Sequence, residues 1–142
     1  MLVNRSRTRS HGIELEVEVF VSDRLRFGGS ATFNPTDLRG TSDNLPSRPR
    51  WRGEWHVSTS PLSSVELGVR MLFVGDSSEF SIPTGDQTLD EYVKVDVTAS
   101  WQVHDNPTLL LAVENLFDED FEEAIGFPDV GVYPRIGAKV DF

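Results

Sequence analysis

The sequence predicts an all-β fold in which about seven antiparallel strands form part of a transmembrane β-barrel. Three observations predict it. Seven segments alternate polar and apolar residues, and the connections between them alternate between short and long. The last eight residues, 135–142, also alternate and end on an aromatic residue. Short turns on one side, long loops on the other and strands with one apolar face are typical of transmembrane barrels.

The composition narrows the classes of protein that the chain can belong to. A net charge of -10 and the lack of a Lys/Arg-rich run argue against a nucleic acid partner. The absence of cysteine excludes disulfides and thiolate metal sites. No apolar run is long enough for a transmembrane helix, and strands of a barrel do not need one. Residues 1–7 contain no signal peptide, so an export signal is expected outside this chain.

The first four strands are predicted at 10–21, 25–34, 50–60 and 65–74. In the first strand the apolar face is formed by Ile13, Leu15, Val17, Val19 and Val21, and the polar face by Glu14, Glu16 and Glu18. In the second strand the apolar face is formed by Leu25, Phe27, Ala31 and Phe33, and the polar face by Arg26, Ser30, Thr32 and Asn34. In the third, Trp51, Trp55 and Val57 alternate with polar residues, and in the fourth the apolar residues are Val65, Leu67, Val69, Met71 and Phe73. Each segment has about the length that a tilted membrane strand needs.

Three further strands are predicted at 92–103, 108–116 and 133–142. The fifth is the clearest of these, with Val93, Val95, Val97, Ala99 and Trp101 on its apolar face. The short connections are Ser22–Arg24, Pro61–Ser63 and His104–Pro107. The long, polar connections with Gly and Pro are Pro35–Pro49, Gly75–Glu91 and Phe117–Val132. We expect the long connections on the extracellular side.

The short turns also predict the register of two hairpins. A turn at 61–63 places Trp51 opposite Phe73, Trp55 opposite Val69 and Glu54 opposite Arg70. A turn at 22–24 places Val21 opposite Leu25 and Ile13 opposite Phe33. Glu18 then lies diagonal to Arg26, within reach of a cross-strand ion pair.

Two sets of residues are predicted to face the lumen and the membrane interfaces. The lumen-facing candidates are Glu14, Glu16, Glu18, Arg26, Arg52, Glu54, Arg70, Lys94 and Asp96. The interfacial aromatic candidates are Phe33, Trp51 and Phe73 at the extracellular side and Trp101 and Phe142 at the periplasmic side. Because complete barrels have an even number of strands, seven strands that end in the periplasm predict the C-terminal segment of a larger barrel.

Several motifs, in order along the chain, resemble those of TonB-dependent outer-membrane receptors. They are Ser10–Glu16 ("S-x-G-x-E-x-E"), Arg48–Trp51, Tyr92–Trp101, Val113–Phe121, Gly126–Pro128 and Arg135–Gly137. The C-terminal residues Arg135, Gly137, Val140 and Phe142 also resemble the signal that the barrel-assembly machinery reads. The ordered set covers nearly the whole chain.

The resemblance implies a 22-stranded barrel in the bacterial outer membrane, with a plugged lumen. Residues 1–142 would then be the C-terminal segment of the barrel, without the plug domain and the TonB box. The implied function of the parent protein is active uptake of a scarce nutrient, such as a ferric siderophore or cobalamin, energised through TonB. The implied partners are TonB, the barrel-assembly machinery, outer-membrane lipid and the transported ligand. No cofactor is expected.

Two alternatives are a different outer-membrane barrel, such as a porin or a secretion channel, and a soluble antiparallel β-sandwich that binds a partner or carbohydrate. An enzyme is not expected, because the sequence contains no nucleophile elbow or phosphate-binding loop. His11, His56 and His104 lack metal-site spacing. The acidic segment 118–123 is predicted to be a solvated loop rather than a cation site, since it lacks the pattern of a calcium loop. Asn115 and Asp118 are expected to bond to the backbone where the strand ends.

Overall fold

A computed structural model of the chain describes residues 8–38, 48–103 and 107–140. The strands in the described residues are β1 (Thr8–Ser10), β2 (Ile13–Ser22), β3 (Leu25–Phe33), β4 (Thr36–Leu38), β5 (Trp51–Leu62), β6 (Val65–Val74), β7 (Ser77–Ser81), β8 (Gly85–Leu89), β9 (Tyr92–Gln102), β10 (Pro107–Glu114), β11 (Glu122–Ala124), β12 (Phe127–Pro128) and β13 (Tyr133–Val140). Within these residues, no helix is long and apolar enough to cross a membrane.

Seven strands form one antiparallel sheet in the order β2-β3-β5-β6-β9-β10-β13. Each strand pairs with the strands that come before and after it in this order along the chain, as in a meander. These strands correspond to the seven predicted segments, so the all-β prediction is confirmed. The last segment was predicted to reach Phe142, and residues 141–142 lie outside the described part of the chain.

The connections are sorted by length between the two ends of the sheet. At one end, tight turns at Asp23–Arg24 and Ser63–Ser64 join β2 to β3 and β5 to β6. At the other end lie the connections 75–91 and 115–132 and the described residues of the connection 34–50, and we call this the long-loop end. The long connections are not purely irregular, because β7 pairs with β8, β11 pairs with β12, and β4 pairs with β1. The six short strands were not predicted.

The register of β2 and β3 agrees with the prediction over most of its length. Ile13 lies opposite Phe33, as expected. At the turn, however, Ser22 rather than Val21 lies opposite Leu25. The pairing is irregular between Phe20 and Ser22, and this extra residue allows a tighter turn than the sequence suggested.

The predicted register of β5 and β6 is wrong by two residues. Trp55 lies opposite Met71 rather than Val69, and Phe73 lies opposite Gly53 rather than Trp51. The reason is that β5 continues to Leu62, so that the turn has two residues instead of three, and that the pairing is irregular between Thr59 and Leu62. The turn alone would shift the register by three residues, and the irregularity reduces the shift to two. Because the shift is an even number of residues, every side chain keeps its predicted face.

The sheet has a polar face and an apolar face, and the described residues provide no second layer to cover the apolar one. On the apolar face, Ile13 is 73% exposed, Trp51 is 51% exposed and Ile136 is 80% exposed. The only buried apolar side chains among the described residues are Leu72, Tyr92 and Phe121. A water-soluble domain of this length normally encloses a core, so this face needs an apolar surrounding.

Candidate functional site

The polar face carries charged residues from all seven strands of the sheet. Strand alternation and the observed pairing place all of the predicted lumen-facing residues on this one face, namely Glu14, Glu16, Glu18, Arg26, Arg52, Glu54, Arg70, Lys94 and Asp96. Arg70, for example, lies directly opposite His56 on β5 and Asp96 on β9. The polar face is therefore a continuous surface across the sheet.

A chain of ion pairs crosses this face from β5 to β13. Its members have alternating charges, and we call them the charged belt: Glu54, Arg70, Asp96, Lys94, Glu114 and Arg135. Arg70 lies 2.7 Å from Glu54 and 3.9 Å from Asp96. Lys94 lies 3.9 Å from Asp96 and 3.5 Å from Glu114, which in turn contacts Arg135. Each charge in the belt is thus compensated by its neighbours.

The pairing of Glu54 with Arg70 follows the prediction in its partners but not in its geometry. Glu54 lies opposite Leu72, and its contact with Arg70 is diagonal. Beside the belt lies an open groove of about 350 Å³, whose lining includes His56, Thr98 and Arg135. The lining carries both cationic and anionic side chains of the belt, so the groove suits a polar occupant of mixed charge.

Another side-chain contact crosses over a whole strand. Glu18 on β2 and His56 on β5 both lie opposite Gly28 on β3, and their side chains approach to 3.2 Å. A Cβ atom at position 28 would lie 2.1 Å from Glu18 Oε2, so only glycine leaves room for this contact. The predicted pair of Glu18 with Arg26 is therefore wrong, and Arg26 instead lies 3.5 Å from Glu66.

The predicted interfacial aromatic residues lie near the two ends of the sheet. At the long-loop end, the rings of Phe33 and Trp51 are in contact, with centroids 4.3 Å apart. Phe73 lies two residue pairs away along the sheet, opposite Gly53 and Val93. Trp101 lies at the other end, opposite Val65. Phe142 lies outside the described residues.

At the long-loop end, Asn115 organises the connection 115–132. Asn115 is 1% exposed and has a left-handed backbone with φ of 51°. Its backbone N–H donates to Asp96 Oδ1 at 3.0 Å. Its Nδ2 donates to the carbonyl of Glu119 and to Asp129 Oδ2, both at 2.9 Å, and its Oδ1 accepts the N–H of Glu119 at 2.9 Å. We call Asn115, Asp96, Glu119 and Asp129 the Asn115 cluster.

The same connection folds over the polar face. The ring of Phe121 stacks on Tyr92, with centroids 3.9 Å apart and planes 10° apart. Tyr92 lies at the start of β9 on the polar face, opposite Val74, and both rings are 7% exposed. The connection 115–132 also contacts the connection 75–91, because the N–H of Ile125 donates to Glu79 Oε2 at 2.9 Å. The two long connections therefore form one packed unit.

The acidic segment 118–123 serves the local backbone. Asp118 Oδ1 accepts the N–H of Val132 at 3.2 Å, and Glu122 Oε2 accepts the N–H of Gly126 at 3.1 Å. The expected backbone bonding of Asn115 and Asp118 is thus confirmed. Over residues 8–38, 48–103 and 107–140, no group of His, Asp and Glu residues has a geometry that could hold a metal ion.

The remaining candidates are distributed over the sheet. His11 is exposed before β2, His56 is paired with Glu18, and His104 lies outside the described residues. Of the C-terminal signal residues, Arg135 belongs to the charged belt and Gly137 lies opposite Leu110. Val140 ends β13 opposite Pro107.

The sequence analysis did not predict the contacts that connect residues of different strands and connections. Asp96 was assigned to the polar face, but its bond to the N–H of Asn115 was not foreseen. The role of Gly28 was also missed, although a Gly-Gly pair inside a strand is a signal of close approach. Nothing in the spacing of Tyr92 and Phe121 indicates that their rings stack.

Comparison with known proteins gives consistent results. A family described as "TonB dependent receptor-like, beta-barrel" matches residues 2–116. The vitamin B12 transporter BtuB of Vibrio cholerae serotype O1 is 28% identical over 99 residues, which cover 65% of this chain. The chain spans 16% of the length of that relative.

Two solved structures share the fold at low sequence identity. The pyoverdine outer membrane receptor FpvA of Pseudomonas aeruginosa has a TM-score of 0.80 at 18% identity, with 95% of this chain and 22% of that chain covered. The ferric-catecholate import receptor Fiu of E. coli K12 has a TM-score of 0.81 at 18% identity, with 95% of this chain and 21% of that chain covered.

Proposed function

Because this chain belongs to the TonB dependent receptor-like β-barrel family, we propose that it forms part of the wall of an outer-membrane receptor for active nutrient uptake. Relatives and neighbours are named as a vitamin B12 transporter, a pyoverdine receptor and a ferric-catecholate import receptor. The proposed cargo is accordingly a scarce metal chelate, such as a ferric siderophore or cobalamin. The proposed role is transport rather than catalysis.

The observation that carries this proposal is the contrast between the two faces of a single sheet. The apolar face is exposed across all seven strands, while the polar face carries compensated charges. Lipid is the surrounding that suits the first face, and a water-filled or protein-filled lumen suits the second. A sheet with this contrast is part of a barrel wall.

In the proposed arrangement, the chain supplies seven strands of a 22-stranded barrel with a plugged lumen. The polar face would line the lumen and contact the plug, and the long-loop end would be extracellular. Phe33, Trp51 and Phe73 would then lie at the outer interface and Trp101 at the periplasmic interface. The C-terminal residues Arg135, Gly137, Val140 and Phe142 would be read by the barrel-assembly machinery.

The proposed mechanism assigns binding and positioning to this chain. The extracellular connections and the plug would capture the ligand, and TonB would then pull on the plug. The sheet would resist this pull, because a closed antiparallel barrel has no free edge at which to open. The segment 115–132, packed against Tyr92, would form a fixed part of the outer mouth.

Both alternatives from the sequence have less support. A porin or secretion channel would share the two-faced sheet, but the family match over residues 2–116 favours a receptor. A β-sandwich requires a second sheet over the apolar face, and the described residues contain no such layer.

The proposal is tested by immunoblotting outer-membrane fractions of the native host with an antibody raised against segment 117–132. We expect a heat-modifiable band several times larger than this 15.9 kDa chain. As a control, the soluble fraction is blotted in parallel. A soluble species that does not change mobility on heating would refute the membrane-barrel proposal.

A further inference from the structure

We propose that Asp96 is a positioning residue that couples the charged belt of the polar face to the conformation of the connection 115–132. The two carboxylate oxygens of Asp96 are divided between these two parts of the molecule. Oδ1 accepts the N–H of Asn115 at 3.0 Å and lies 3.9 Å from Lys94. Oδ2 lies 3.9 Å from Arg70. One side chain therefore contacts both the belt and the start of the connection.

The bond to Asn115 is the first of a series that determines the path of the connection. The left-handed backbone of Asn115 turns the chain away from β10, and Asp96 satisfies the N–H that this turn presents. The Asn115 side chain then holds Glu119 and Asp129. The N–H of Asp129 in turn donates to the carbonyl of Phe121, which places the Phe121 ring on Tyr92.

The belt acts on Asp96 through charge. The Asp96 side chain is only 14% exposed, and each of its two carboxylate oxygens faces one cation of the belt. These cations are Arg70 and Lys94, whose described ion pairs are with Glu54, Asp96 and Glu114 and not with residues of the connection 115–132. The attractions of these two cations fix the orientation of the carboxylate, and therefore the position of the Oδ1 atom that accepts the Asn115 N–H. Removal of a belt cation should therefore weaken the hold of Asp96 on Asn115.

The coupling has a direct consequence for the protein. An occupant of the groove that binds Arg70 or Lys94 would change how strongly Asp96 holds the connection 115–132. By reciprocity, a ligand that fixes the connection 115–132 changes the affinity of the polar face for that occupant. This inference requires only that the polar face and the connection be accessible to different partners, and it does not depend on the identity of the cargo.

The test measures cleavage of the connection by a glutamate-specific protease in outer-membrane vesicles that contain the full-length protein. The connection contains Glu119, Glu122 and Glu123, and its cleavage rate reports how often it opens. We expect Lys94→Gln to accelerate cleavage by about three- to tenfold in the wild-type background. In the background of Asp96→Asn, which keeps an oxygen acceptor but removes the charge, Lys94→Gln should have no further effect.

The matched control is Arg26→Gln, which removes a cation of the same face that pairs with Glu66 and not with the belt. This control should cleave like the wild type. The proposal is overturned if Lys94→Gln cleaves like the wild type. It is equally overturned if Lys94→Gln accelerates cleavage to the same extent with and without the Asp96 charge, because the effect would then not pass through Asp96. Heat-modifiability of every variant confirms that the barrel is assembled before cleavage is compared.

Discussion

Replacement of Asn115 by alanine should release the connection 115–132 while the barrel wall stays folded. The substitution removes three side-chain hydrogen bonds, two with the backbone of Glu119 and one with the carboxylate of Asp129. It also places alanine at a φ of 51°, a left-handed conformation that is less favourable for alanine than for asparagine. The bonds of β10 to its neighbours are unaffected, so the change is local.

The size of the effect follows from these losses. The two bonds with neutral partners contribute about 1 kcal/mol each, and the bond to the carboxylate about 2 kcal/mol. The left-handed backbone adds about 1 kcal/mol. The free energy of opening of the connection should therefore fall by about 5 kcal/mol, which makes the opening equilibrium about 5,000-fold more favourable.

Hydrogen exchange of the membrane-embedded protein measures this opening. The backbone amides of residues 116–132 should lose their protection in Asn115→Ala, whereas those of β9 should keep theirs. Asn115→Gly is the matched variant, because glycine accepts the left-handed backbone but lacks the side chain. Its amides should exchange about fivefold more slowly than those of Asn115→Ala. If exchange in Asn115→Ala stayed within about threefold of the wild type, the Asn115 cluster would not hold the connection.

Three further predictions address the wall. Gly28→Ala should separate Glu18 from His56 and lower the free energy of unfolding by at most about 1 kcal/mol. In urea titrations, the double variant with His56→Ala should be no less stable than Gly28→Ala alone, and additive losses would contradict the Glu18–His56 contact. Val69→Arg on the apolar face should cost about 2–4 kcal/mol and Ser100→Arg on the polar face much less, as measured by folding into lipid vesicles; equal costs would contradict a lipid-facing surface. Deletion of Phe142 should reduce the amount of heat-modifiable barrel in the outer membrane, and normal amounts would refute an assembly role for this residue.

The strands and their faces could be predicted because a period of two is a local property of the sequence. The β2 pattern, with Ile13 and Leu15 on one face and Glu14 and Glu16 on the other, needs no information from other strands. Register is different, since it depends on the geometry of the turn. The shorter turn after Leu62 and the irregular pairing between Thr59 and Leu62 together moved the pairing of β5 with β6 by two residues, and the alternation of the two strands does not indicate this shift.

The contacts of the candidate site could be predicted only where they are local. Asn115 and Asp118 follow the end of a strand, and bonding to nearby backbone is their usual behaviour in such a position. The bond from Asn115 to Asp96 and the stack of Phe121 on Tyr92 join residues that the chain brings together only after the sheet has formed. The replacement of the expected Glu18–Arg26 pair by Glu18–His56 has the same origin, because it depends on the space above Gly28.

The glycine at position 28 also has an evolutionary consequence. Glu18 and His56 lie on strands that are not neighbours, and they can interact only while the residue between them has no side chain. Among homologous chains, the three positions should therefore change together. Chains with a larger residue at position 28 should lose the acid–histidine combination, so that two positions separated by a whole strand covary under the control of a third.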